Sequence, residues 1–261
     1  MAMTAERLVG ARAGARSGIY FWMAVAMAAT GLLGFAPTFW IPLAHGHHTG
    51  PVIAIHGGLM TLWMLFFVFQ TWLVNAGDVA RHRALGLLGI SLATLVVVFG
   101  VLAAIDQSHR AALAGNLPAG FAFMIVPMTT VVMYGGFTAA AVVNIRRSEW
   151  HKRLMLVGTA SVMSAPVARP FAFFLGMQGH LPVPAGMPSP PRPVDGLSPD
   201  SFVALLFIVV PLIHDWRARG RPHPAYWLAL AVHLAVRVAM GPLSTTPAWQ
   251  AVAHFVYSLA G

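Results

Sequence analysis

The chain of 261 residues is 58% hydrophobic and only 9% charged, carries a formal net charge of +9, and contains no cysteine. Soluble domains average about a quarter charged residues, so this composition excludes a soluble enzyme and predicts an all-α, polytopic membrane protein. Without cysteine there are no disulfides, thiolate metal sites, iron–sulfur clusters or covalent c-type haem attachments, and any metal or haem falls to histidine, methionine or oxygen ligands.

A bilayer-spanning helix needs about 20 mostly apolar residues, and seven stretches of that kind are predicted, all within one helical domain over 1–261. Residues 1–18 form a cytoplasmic tail with Arg7, Arg12 and Arg16. The apolar run behind it, Ile19–Trp40, is too long for a signal-peptide core and has no small-residue cleavage site, so it is expected to be a retained first span. The loop HGHHTG follows, with His45, His47 and His48 in four residues, a candidate copper or zinc site that His56 or His180 would complete.

The second span, Pro51–Val74, places His56, Met60, Trp63, Phe67 and Gln70 at alternating steps of four and three, which puts them on one face pointed into the bundle. His82 opens the third span, Ala84–Ile105. The fourth, Phe121–Val143, has no histidine. His151 precedes the fifth, Leu154–Gly176, which contains Arg169 within APVARP, where Pro166 and Pro170 disturb the helix on both sides of the arginine.

Residues 177–200 are a Pro-rich loop expected to lie across the outer mouth of the bundle. The sixth span, Phe202–His214, is short and ends beside Asp215, and the seventh, Ala225–Pro242, holds His233 and Arg237. Within 246–259, Trp249, Val252, Phe255, Val256 and Leu259 recur at helical spacing, as in a helix lying on the membrane surface.

With the N-terminus inside, 12 of the 16 basic residues fall in cytoplasmic segments and only Arg110 and Arg192 in outer loops, which sets seven spans with the C-terminus outside. The basic excess is therefore an orientation signal and not a nucleic-acid surface. Every acidic residue lies in a predicted loop or at a helix end, which argues against a carboxylate proton relay through the bilayer centre.

Two arginines remain inside spans. Counting about 1.5 Å per residue puts Arg169 and Arg237 roughly 8–10 Å below the outer surface, with His56 at similar depth and His233 one turn below Arg237. This cationic layer, with no buried acid to neutralise it, calls for helix-end carbonyls or for an anion: haem propionates, a carboxylate or a lipid phosphate. At the cytoplasmic boundary His82, His151 and His214 form a second candidate ligand set for a metal or haem, with Asp78, Glu149 and Asp215 as partners for their ring N–H groups. HExxH, Walker and GxSxG motifs are absent, so hydrolase and NTPase chemistry have no support.

The strings HGGLMTLWMLFFVFQTWLV, HRALGLLG and HKRLMLVGTASVMSAPVARP, over residues 51–170, resemble a group of uncharacterised bacterial multi-span proteins, which implies a bacterial inner-membrane protein. At greater distance, histidines near both faces are similar to those of membrane b-type cytochromes. That likeness implies haem b, held here by His56 and His233 with Arg169 and Arg237 on the propionates. The histidine-free fourth span departs from the cytochrome pattern.

Three functions follow as expectations: a redox protein carrying haem b or a transition metal (copper or zinc), a binder or transporter of a small anionic or amphiphilic ligand, and an accessory subunit of a larger membrane complex. The lipid bilayer is the partner common to all three.

Overall fold

The computed structural model describes residues 18–46, 49–175 and 194–259, without the side chains of 172–175. Eleven α-helices are described: α1 Ile19–Phe35, α2 Ile41–Ala44, α3 Pro51–Ala76, α4 Val79–Ala84, α5 Gly86–Leu113, α6 Leu117–Val143, α7 Ser148–Ser161, α8 Ser164–Leu175, α9 Pro199–Arg219, α10 Pro224–Ser244 and α11 Pro247–Ser258. A π-turn, Ala36–Trp40, joins α1 to α2. Seven spans are long and apolar enough to cross a bilayer, the first running through α1, the π-turn and α2, and the fifth through α7 and α8. The protein is therefore a multi-pass, all-helical membrane protein whose exposed apolar side chains, among them Leu33, Val132, Val143, Phe202 and Trp227, meet lipid.

Short loops force successive spans to run antiparallel. The end at which α1 begins is termed proximal and the opposite end distal. One apolar core draws on all seven spans, from Met27 of α1 and Trp63 of α3 to Tyr134, Leu156, Ile208 and Ala229. In the fifth span 61% of the most apolar stretch is buried inside the protein, against 39% or less in the others, so this span is the axis of the bundle. Its place explains its low hydropathy: a helix surrounded by protein can carry polar groups that lipid would reject.

The second-span stripe faces inward as its spacing predicts, with Trp63, Phe67 and Gln70 buried and His56 and Met60 half-buried. Trp63 meets Tyr134 of α6 edge-on at 5.3 Å. Two helices outrun the predicted spans furthest. The third continues to Leu113 because Asp106 and Arg110, one turn apart, neutralise each other. The sixth runs from Pro199 to Arg219 and stops at Gly220, whose φ of 73° suits a left-handed cap. Asp215 does not end that helix, because the carboxylate is paired inside the protein.

The residues expected to lie on the surface form a helix, α11. It packs Ala253 against Phe121 and Met124, and its Trp249 indole donates to the Phe121 carbonyl at 2.8 Å.

Candidate functional site

Prolines shape the distal end. Pro37 has no N–H to give Leu33, whose carbonyl accepts from Ala36 instead, and Ile41 reaches back five residues to Ala36; the result is the π-turn. On the fifth span Pro166 leaves the Val162 carbonyl without its usual donor. Three-residue bonds from Val162 to Thr159 and from Met163 to Ala160 mark the break between α7 and α8. Pro170 likewise leaves the Pro166 carbonyl bare, and Gly34 of α1 packs directly on it. The close approach of Gly34 and Pro166 places Arg169, one turn further along, beside the π-turn.

Arg169 donates from Nε to the Thr38 hydroxyl at 3.1 Å and from Nη1 to the Ala165 carbonyl at 2.8 Å, and its guanidinium lies 3.9 Å from the centre of the Phe35 ring. These contacts hold the group by one edge and one face. Among the described residues no carboxylate lies within ion-pair distance of it. The guanidinium keeps N–H donors to spare and is partly exposed.

His56 stands within electrostatic range of Arg169. The next residue, Gly57, has the ring of Phe39 pressed against it, so the π-turn sits between α3 and α8. At this end of the bundle the indole Nε1 of Trp40, the hydroxyl of Thr49 and Nδ1 of His56 are buried and have no hydrogen-bond partner. This end of the bundle thus holds a guanidinium with no carboxylate paired to it among the described residues, together with unpartnered polar atoms and aromatic rings.

The predicted cationic layer divides in two. His56 and Arg169 meet at α1, whereas Arg237 lies on α10 and donates from Nη1 to Ser201 of α9. Its Nε is buried without a partner, and a cavity of about 320 Å³ opens beside it between Val194–Leu197 and Val238–Pro242. Asp195 lines that cavity and the charge of Asp200 reaches the guanidinium, so Arg237, unlike Arg169, has acids nearby.

His233 is more enclosed than its spacing suggests. Nδ1 lies 2.8 Å from the Ala229 carbonyl, Nε2 lies 3.1 Å from the Ser161 hydroxyl, and the ring stacks on Phe137. Both of its nitrogens are engaged.

At the proximal end His82 and His151 come together with ring centres 6.2 Å apart, while His214 lies on α9 beside Asp215 and does not join them. Burial, with His151 and Arg83 nearby, pushes His82 below the usual histidine pKa. Among the described residues no three His, Asp or Glu side chains stand where one metal ion could bind them all. His45 follows the last residue of α2; His47, His48 and His180 lie outside the described residues.

The carboxylates expected to serve histidines bind elsewhere. Asp78 caps α4 and pairs with Arg81. Asp215 and Glu149 take the side chain of Arg153, one of the 12 basic residues assigned to cytoplasmic segments, which is 2% exposed. The partners Arg153 and Asp215 are 62 positions apart, a separation with no local signature.

His223, before α10, is tied to this cluster by its backbone N–H, which donates to Asp215 at 3.0 Å, while its Nδ1 accepts from Ala225 at 3.2 Å. Only the neutral ring can accept there. Burial and the charges of Arg153 and Arg219 depress its pKa, opposed by Asp215 and Glu149. The unfolded chain then binds more protons than the folded one, so stability is complete above the usual 6.5 and declines as pH falls below it. The melting temperature is expected to drop between pH 7 and 5, and His223→Asn, which keeps a cap acceptor but does not titrate, should flatten the drop. An unchanged slope in that variant would assign the effect to other groups.

No family model, curated protein or solved structure matches the chain.

Proposed function

We propose that the chain is a bacterial inner-membrane protein, N-terminus inside and C-terminus outside, that binds a small anionic or amphiphilic ligand at Arg169 in the outer leaflet. The observation that carries this reading is a half-open guanidinium braced by Thr38, Ala165 and Phe35, with no carboxylate beside it among the described residues. A cation kept at membrane depth without a counter-ion is costly, and an anionic head group offsets that cost through charge-assisted bonds. His56 and Trp40 supply further polar atoms, and Phe35 and Phe39 give an apolar wall for an alkyl tail.

The test uses decanoate and its uncharged methyl ester, added to the protein in lipid nanodiscs. At about 100 times the dissociation constant, decanoate should stabilise the fold by about 2.7 kcal/mol, or roughly 5–10 °C, with the ester much weaker. Arg169→Ala should lose the shift. Equal shifts from acid and ester, or an unchanged shift in the variant, would count against the reading.

One observation favours a redox reading as second choice: His56 stands within electrostatic range of Arg169, so a haem would be held by the histidine on its iron and by the arginine on a propionate. His233 would have to release Ser161 to serve as a second ligand. A Soret band abolished by His56→Ala would favour haem; a colourless protein that binds decanoate would favour the first reading.

A further inference from the structure

The histidine pair at the proximal end is separate from the anion site and has the geometry of a metal site. His151 Nδ1 lies 2.9 Å from the Ala141 carbonyl, and since a carbonyl only accepts, Nδ1 carries the proton and Nε2 keeps a free lone pair. Nδ1 of His82 is buried with no hydrogen-bond partner. Each imidazole thus keeps one nitrogen unengaged, and the ring of His151 is oriented through its other nitrogen, as metal-binding histidines are.

The spacing agrees. With metal–nitrogen bonds of about 2.0–2.1 Å, an ion sits about 3.2 Å from each ring centre, so two rings sharing it have centres at most about 6.4 Å apart. The observed separation is 6.2 Å, with the rings inclined by 72°, which fits imidazoles on nearly opposite sides of an ion and is wider than the roughly 5.2 Å of a tetrahedral site. Gln70, whose backbone lies near the His82 ring, is itself 8% exposed with both side-chain amide atoms unpartnered, a neutral oxygen donor.

We propose that His82 and His151, assisted by Gln70, bind copper(II), a divalent ion of the imidazole-preferring class that accepts nitrogen donors on opposite sides. Neutral nitrogen donors disfavour the hard, oxygen-seeking ions magnesium and calcium.

The experiment uses the full chain with His45, His47 and His48 changed to alanine, stripped of metal and titrated with Cu²⁺ under electron paramagnetic resonance. One ion per chain coupled to two nitrogens is expected. His82→Gln or His151→Gln should remove one coupling and weaken binding at least tenfold, and Gln70→Leu should weaken it about 10–100-fold with both couplings kept.

Failure to bind at equimolar Cu²⁺, or couplings unchanged in both histidine variants, would overturn the site. Carbethoxylation of the unmutated histidine pair, read by mass spectrometry, gives a check independent of variant folding. Cu²⁺ should protect His82 and His151, and no protection would overturn the proposal.

Discussion

Arg153→Ala is expected to destabilise the protein by about 3–5 kcal/mol, the cost of leaving buried charge without its partner. The Arg153 side chain is 2% exposed and that of Asp215 6% exposed. The guanidinium donates from Nη2 to Asp215 Oδ1 at 2.5 Å and from Nε to Oδ2 at 3.1 Å, a two-pronged pair joining α7 to α9. Nη1 adds bonds to the carbonyl and carboxylate of Glu149, which also accepts from Arg219 at 2.7 Å. Tyr226 of α10 sets its ring under the guanidinium at 5.8 Å. One side chain therefore ties three spans together.

Removing it leaves Asp215 with the His223 backbone N–H and with Arg219 only at 4.0 Å. Arg153→Met with Asp215→Leu should cost far less than either change alone, because no bare charge remains and only the His223 N–H loses its acceptor. Thermal unfolding of the single and double variants in detergent checks this. A single-variant loss below about 1 kcal/mol would mean the pair is solvated.

Gly34→Ala is expected to cost about 1–3 kcal/mol even though alanine is the better helix former by about 1 kcal/mol. A Cβ at this position would fall inside the contact distance of the Pro166 carbonyl carbon and oxygen, which are backbone and cannot rotate away. The first and fifth spans would have to separate. That movement pulls Thr38 from Arg169, so the variant should also weaken decanoate binding without touching a ligand-facing atom. Gly58→Ala, where a Cβ meets nothing within 4 Å, is the control and should be neutral or slightly stabilising. Equal melting temperatures for the two variants would show that the approach at Gly34 is not tight.

The helical architecture was legible because hydrophobicity repeats over the length of a bilayer, and the inward stripe from His56 to Gln70 because a helix has a fixed period. Helix ends were less so: Asp106 and Asp215 read as loop residues until Arg110 and Arg153 were found beside them. Depth along a span grouped His56 and Arg169 with Arg237 as well, since depth carries no information on which helices are neighbours. The π-turn at Pro37 and the bare Pro166 carbonyl depend on packing between α1 and α8, and the proline positions alone hinted at them. The His82–His151 pair was visible as shared level; the exclusion of His214 was not, since three histidines at one level differ only in azimuth around the bundle.

The measurement that bears most directly on the anion-binding reading is calorimetric titration of decanoate into nanodisc-embedded protein, comparing the unmutated chain with Arg169→Ala and Arg237→Ala. Loss of charge-assisted bonds of about 1.5–3 kcal/mol predicts that Arg169→Ala weakens binding about 10–100-fold, while Arg237→Ala, whose arginine has acids beside it, leaves the affinity within about twofold. Equal affinity for the unmutated protein and Arg169→Ala would contradict the assignment.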